Sequence, residues 1–171
     1  MIHINIGSNL DSKYGTKFKN LLIALDLLTN FNVDIKKISN FYETPSYPNK
    51  NLPRFVNIGV LIECNFYYLA LLKKILLIEK KIGRVKSKKN DPRVCDIDII
   101  DFNGLIKNNK LLKLPHPRSH NRNFVLYPIK EIDPGWIHPT FNKNVDFLIS
   151  QLSKISRIEI TRLSKSAITK A

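Results

Sequence analysis

Only two of the 171 residues are cysteine, Cys64 and Cys95, and they stand at no metal or redox spacing. Each lies in an apolar, strand-like context, where a free thiol serves as a small buried side chain. No apolar run reaches the ~18 residues that a membrane span needs. The longest, Phe66 to Ile78, is interrupted by Lys73 and Lys74. The N-terminal Met-Ile-His-Ile-Asn-Ile-Gly lacks the basic flank of a secretory signal, so a cytoplasmic location is expected. Internal repeats and low-complexity linkers are missing too. Acidic residues are scarce: 14 Asp and Glu stand against 28 Lys and Arg, a formal net charge of +14. Such a balance attracts polyanions, whether nucleic acid, anionic membrane or a nucleotide triphosphate. The surplus is Lys scattered among Asn and Ile, so charge alone selects none of these.

What is present suffices for one domain: 43% of the residues are hydrophobic, an ordinary fraction for a packed core. The expected domain covers residues 1–163, with a polar tail at 164–171. Ile2, Ile4 and Ile6 alternate with His3, Asn5 and Gly7, the period of a strand. Tyr14, Phe18, Leu21, Leu22, Leu25 and Leu28 recur at helical spacing and predict a helix over 13–29, capped by Asp11 or Ser12. Strands are expected over 33–42 and 55–63. A second helix should run from a cap at Asn65 to Ile82, with Gly83 as its stop. A strand over 94–102 follows, then an Asn103-Gly104 turn and an extended stretch over 111–114. A helix over 119–130 contains Pro128, which is expected to cut it short. Val145, Leu148, Leu152 and Ile155 mark a last helix, and residues 158–163 a terminal strand. The order β-α-β-β-α-β indicates an α+β fold: a ferredoxin-like core in a three-layer α/β/α sandwich, with a mostly antiparallel sheet and helices on both faces.

Asp96 and Asp98 stand two apart in Val94-Cys95-Asp96-Ile97-Asp98-Ile99-Ile100. On a strand both carboxylates leave one face while Cys95, Ile97 and Ile99 leave the other. Parallel carboxylates repel unless a cation lies between them or one is protonated. Hard oxygen ligands suit magnesium, which takes one or two carboxylates together with substrate phosphates. A solvated polar strand face also explains many Asp-x-Asp pairs, but Asp is disfavoured in strand interiors.

The segment Arg84 to Arg93 brings five basic side chains to the edge of this strand. It reads either as a solvated loop or as a segment that closes over a triphosphate and neutralises developing charge. Helical periodicity puts Glu79 in the middle of an apolar face, beside Tyr68, Leu72, Ile75 and Ile82. Two readings remain open for it: a partly exposed helix-end carboxylate held by Arg84, or a contact to nucleotide or to a site arginine. Pro115-His116-Pro117-Arg118-Ser119-His120-Asn121-Arg122 gathers imidazoles and guanidinium forks suited to phosphate. By itself this is also a surface turn, and no acidic or cysteine partner at ligand spacing supports zinc.

In register, Ile6-Gly7-Ser8-Asn9-Leu10, Ser39 to Pro45, Phe55-Val56-Asn57, Ile78 to Arg84, Pro92 to Ile99, Leu114 to Arg118 and Arg122 to Pro128 with Glu131-Ile132-Asp133-Pro134 resemble the 6-hydroxymethyl-7,8-dihydropterin pyrophosphokinases. The resemblance spans residues 1 to about 150. It implies ATP as cosubstrate and two magnesium ions held by Asp96 and Asp98. Arg84 and Arg93 would lie on a mobile catalytic loop and stabilise the transferred diphosphate. His116, Arg118 and Arg122 match phosphate contacts, while Glu79 and Ile99 match the nucleotide site. Asn57 would hydrogen-bond the pterin edge between Phe55 and Phe124, with Thr44, Pro45 and Tyr47 lining the pocket. Where some family members carry a loop Trp, this chain has Lys88-Lys89-Asn90 and a loop one residue shorter.

The implied reaction is attack of the pterin hydroxymethyl oxygen on the β-phosphorus of ATP, releasing AMP, in tetrahydrofolate synthesis. The expected partners are small molecules, with no nucleic acid or membrane, and the expected state is a monomer. The competing reading is a basic RNA-binding module without catalysis, but the aromatics form no recognisable RNA-binding motif.

Overall fold

Alternating isoleucines set the first strand, β1 (Ile2–Ser8), around which the sheet is built. A computed structural model describes residues 1–85 and 91–163; the Lys88-Lys89-Asn90 departure and the expected tail lie outside them. Helix α1 (Lys17–Asn30) follows β1 and buries Leu21, Ala24, Leu25 and Leu28. Its cap is Thr16, whose hydroxyl accepts from the Lys19 amide, and not Asp11 or Ser12 as expected. Asp11 instead accepts from the Lys17 amide at 2.8 Å.

The strand expected over 33–42 is two strands, β2 (Asp34–Ile38) and β3 (Phe41–Thr44). The break has a local cause. Ser39 is fully buried, and its hydroxyl accepts from the Gly59 amide at 2.9 Å while donating to the Asn40 carbonyl at 2.7 Å. A side chain thus takes the place of a ladder partner, and the chain steps aside. Strand β4 (Phe55–Glu63) pairs with β3 through its first half and with β2 through its second. Helix α2 (Tyr68–Ile82) starts three residues later than Asn65 and ends on Gly83, whose φ of 110° is left-handed. Then come β5 (Asp96–Phe102), the small hairpin of β6 (Lys107–Asn108) and β7 (Lys113–Leu114), and α3 (Asn123–Ile132). A second hairpin, β8 (Ile137–His138) with β9 (Lys143–Asn144), leads to α4 (Val145–Ser150). The single last helix expected is two short ones, α4 and α5 (Lys154–Ile158), before β10 (Thr161–Leu163).

The main sheet runs β10-β3-β4-β1-β5, antiparallel throughout. Helices α1 and α2 cover one face over a core that includes Ile2, Ile4, Ile6, Ile58, Val60, Ile97 and Ile99. Each such side chain removed from water contributes roughly 1.5–3 kcal/mol before entropy is charged against it. Helices α3 and α4 cover the other face over Ile100, Val125, Leu126, Ile129, Trp136 and Leu148. The layers are those expected. The register between β1 and β5 shifts after His3, leaving Ile100 as an extra residue. This bulge turns Ile100 and Asp101 together toward the α3 layer, where Asp101 accepts from the Trp136 indole at 2.8 Å.

Pro128 does not shorten α3, which runs on to Ile132. A proline at this position leaves the Phe124 carbonyl without its helical donor. The Asn5 side chain replaces that donor: its amide nitrogen reaches the Phe124 carbonyl at 3.0 Å and the Ile58 carbonyl at 3.2 Å. Gly59 completes the fit, because a Cβ there would meet the Pro128 Cβ at 2.6 Å. Bare backbone on β4 and a ring on α3 bring the helix down onto the sheet. Its N-terminus is thereby fixed beside the carboxylate strand.

Candidate active site

Three neighbouring strands place Asn57 of β4, Gly7 of β1 and Asp96 of β5 side by side, with Asn5 next to Asp98 in the adjoining row. Strands lie about 4.8 Å apart, so Asn57 and Asp96 stand roughly 10 Å from each other across one residue. That residue has no side chain, and a Cβ at Gly7 would lie 2.6 Å from Asn57 Oδ1. The floor between the amide and the carboxylate is therefore open backbone. Asn57 is buried; its amide meets that of Asn5 at 3.3 Å on one side, while the other atom of the Asn57 amide has no hydrogen-bond partner among the described residues. A buried polar atom in that condition is costly unless a ligand satisfies it.

Asp96 and Asp98 leave the same face of β5, and Cys95, Ile97 and Ile99 are buried on the other, as alternation requires. Asp96 is gripped from two sides, by Arg84 Nη1 at 2.7 Å and Arg93 Nη1 at 3.0 Å. Asp98 has Arg122 Nη1 at 3.3 Å and His116 Nε2 at 3.9 Å. Burial, followed by the charge of Asp96, pushes the Asp98 carboxyl up to about 6. Cations are wanted here, and arginines supply them.

Each of these cations has its own support. The Arg93 backbone amide donates to Asn9 Oδ1 at 2.7 Å and its carbonyl accepts from the Asn9 amide at 3.1 Å. Asn9 Nδ2 also donates to Ser46 Oγ at 3.2 Å and to the Pro53 carbonyl at 3.1 Å, coupling the arginine to the proline-rich loop. Arg84 pairs with Glu79, which is 3% exposed and accepts from the Ile97 amide at 2.7 Å. Glu79 is thus no partly exposed helix end; it joins α2, the outer edge of β5 and Arg84, and burial pushes it up to about 7. His116 Nδ1 accepts from the Arg118 amide at 3.1 Å, so in the neutral ring Nε2 carries the proton and points toward Asp98. Burial and the nearby arginines lower His116 to about 4, keeping it neutral near pH 7. Behind it, Ser119 donates to the His116 carbonyl at 2.8 Å and meets His138 Nε2 at 3.2 Å.

One cleft of about 750 Å³ collects these groups. Thr44, Pro45, Tyr47, Phe55, Asn57 and Phe124 line one end; Arg84, Arg93, Asp96, Asp98, His116, Arg118 and Arg122 line the other. Glu79 and Ile99 do not line it. The Ile99 side chain is in the core, leaving its backbone on the outer edge of β5, where the Ile97 amide also points. Sequence reasoning missed Asn5 and Gly7, although alternation with Ile4 and Ile6 put them on the face of the carboxylates. It also missed Asn121 and Asn123, which stand in segments it quoted but gave no role, and Lys50, Ser153, Ile155, Ser156 and Glu159, which line the cleft without any motif.

The donor set fits magnesium. Among the described residues no group of three or more His, Cys, Asp and Glu forms a cage, and two carboxylates on one face leave the remaining positions to phosphate and water. No helix of the described residues is long and apolar enough to cross a membrane.

Residues 3–134 match the family model described as 7,8-dihydro-6-hydroxymethylpterin-pyrophosphokinase. A protein of Aquifex aeolicus named 2-amino-4-hydroxy-6-hydroxymethyldihydropteridine pyrophosphokinase is 35% identical over 142 residues, 83% of this chain and 86% of that protein. One of the same name from Haemophilus influenzae is 30% identical over 92% of this chain and 96% of its own length. The folic acid synthesis protein FOL1 of Dictyostelium discoideum is 37% identical, but the chain spans only 21% of it. Among solved structures, Plasmodium falciparum HPPK-DHPS with pteroate superposes with a TM-score of 0.71 at 15% identity, over 94% of this chain and 47% of that one. That likeness bears on the fold.

Proposed function

The chain belongs to the 7,8-dihydro-6-hydroxymethylpterin pyrophosphokinase family, and from that premise we propose how its cleft transfers a diphosphate from ATP to the pterin hydroxymethyl group. The protein is an ATP-dependent diphosphotransferase of folate biosynthesis. In our reading it works as a cytoplasmic monomer on two small molecules.

The pterin lies at the end lined by Thr44, Pro45, Tyr47, Phe55 and Phe124, with its polar edge on Asn57. Aromatic faces give a flat heterocycle contact area at little entropic cost. The triphosphate lies at the other end, across Gly7, on Arg84, Arg93, His116, Arg118 and Arg122. Glu79 and the backbone of Ile99 serve the nucleotide from the outer edge of β5, Glu79 by holding Arg84. Asp96 and Asp98 would hold two magnesium ions, which would supply positive charge against the phosphates. The pterin oxygen attacks the β-phosphorus, the bond to the α-phosphate oxygen breaks, and AMP departs. The chain's own work is alignment and charge. Guanidinium groups already gathered around the carboxylates pass to the phosphates as the carboxylate oxygens turn to the metal, so the positive charge is in place beforehand.

The observation that carries this reading is the Asn57–Gly7–Asp96 row, which sets an unfilled amide and a carboxylate about 10 Å apart over bare backbone. The test is AMP release from ATP and magnesium, with and without 6-hydroxymethyl-7,8-dihydropterin. AMP appearing only with the pterin supports the reading; ADP as product, or pterin-independent release, contradicts it.

A further inference from the structure

One wall of the cleft is built by residues beyond the matched span of 3–134: Ser153, Ile155, Ser156 and Glu159, from α5 and the turn into β10. Its tethers all run to the pterin end. Asn123, next to Phe124, donates from Nδ2 to the Ser156 carbonyl at 2.6 Å. Lys50, in the proline-rich loop, pairs with the Glu159 carboxylate. Arg54, next to Phe55, donates from Nη2 to the Glu159 carbonyl at 3.4 Å. Strand β10 then pairs with β3, which carries Thr44. The wall is therefore fastened beside both aromatic residues and to the proline-rich loop.

Ile155 is 60% exposed although it faces the cleft. Ser153 and Ser156 flank it, so the one large apolar surface on this wall is a single isoleucine. A flat heterocycle placed between Phe55 and Phe124 leaves an open side, and an aliphatic side chain there gains by being covered.

We propose that α5 is a specificity element of the pterin subsite, in which Ile155 covers the open side of the heterocycle and the Lys50–Glu159 pair is a positioning contact that ties this wall to the loop of residues 45–53. The proposal rests on the assignment of the Phe55, Asn57 and Phe124 end to the pterin. An ion pair this exposed adds little to global stability, so breaking it loosens the wall without unfolding the chain.

The experiment measures binding of 6-hydroxymethyl-7,8-dihydropterin and, separately, of a non-hydrolysable ATP analogue with magnesium to the full chain. Ile155→Ala weakens the pterin about tenfold, the loss expected for a covered aliphatic side chain, and Ile155→Asp weakens it further. Affinity for the ATP analogue stays within about twofold in both, since rim changes far from the phosphates leave them alone. Lys50→Ala and Glu159→Ala each weaken the pterin, and the exchange Lys50→Glu with Glu159→Lys restores most of the loss. If the Ile155 variants bind pterin like the wild type, or lose both ligands equally, the proposal is overturned; Asn57→Ala still weakening the pterin then leaves the subsite assignment standing. If the wild type binds the ATP analogue but no pterin, the assignment falls and the proposal with it.

Discussion

Asp98 sits where burial and the charge of Asp96 both resist ionisation, with Arg122 and His116 beside it. A site residue in that position is sensitive to its charge, not only its volume. Asp98→Ala and Asp98→Asn should each lower pterin-dependent AMP release by at least about 10³-fold, with unfolding midpoints close to wild type, because the groups lost act on transition-state charge. Near-normal turnover in saturating magnesium would contradict the metal assignment. Glu79 behaves differently. It is buried, with Arg84 and the Ile97 amide depending on it. Glu79→Ala leaves the Ile97 amide without its acceptor and Arg84 with Asp96 as its remaining partner, and should cost about 1–3 kcal/mol in urea unfolding, whereas Glu79→Gln, which still accepts, should cost about 1 kcal/mol or less. The sequence marked Glu79 as anomalous on an apolar face, but its partner on β5 is a backbone amide, which no residue pattern reveals. The Asp pair was legible because alternation on a strand needs only local information.

Among the elements, β1, α1, β4, α2 and β5 were readable because period and apolar spacing agree along each. The break at Ser39 was not, since a serine in a strand-like run says nothing of the Gly59 amide it will bind. Pro128 misled for a similar reason. The carbonyl it orphans is satisfied by Asn5, from a strand more than a hundred residues earlier. Helix α3 lies on β4 through the pairing of Gly59 with Pro128, and this sets the height of Phe124 over the cleft. Gly59→Ala should therefore destabilise by about 1–3 kcal/mol, the range for overpacking a closed contact. Pro128→Gly, which removes the Cβ that is met, should recover part of that cost in a double-mutant cycle, which thermal unfolding of the single and double variants would measure. Helix α5 was read as the end of one last helix through Ile155, without its break from α4. Nothing in its spacing says which side it faces, and only the folded chain puts it against the cleft.

For the whole molecule, the fold class followed from element order, and the +14 charge followed from composition without locating its use. Arg84, Arg93, Arg118 and Arg122 spend part of that excess in one cleft. Another global property comes from His138. It is 2% exposed, Nδ1 accepts from the Thr140 amide at 3.2 Å, and the His120 ring lies 6.0 Å away. Burial, reinforced by His120 and opposed by Asp101, lowers it to about 4, below its usual 6.5. A depressed folded value means the unfolded chain takes up the proton first, so this contribution to stability is whole above about pH 6.5 and is lost as pH falls toward 4. The gap in unfolding free energy between wild type and His138→Asn should accordingly narrow over that window; a gap constant with pH would contradict it.

The central claim is that two acidic side chains on β5 gather divalent ions against a nucleotide's phosphates, beside a pterin held across Gly7. Its most direct test is a crystal of the protein with manganese, a non-hydrolysable ATP analogue and the pterin, phased on the manganese anomalous signal. The account predicts anomalous peaks about 2.0–2.3 Å from carboxylate oxygens of both Asp96 and Asp98, shared with phosphate oxygens, and the hydroxymethyl group facing the β-phosphate. Peaks bound by other residues, or a triphosphate lying away from β5, would contradict it.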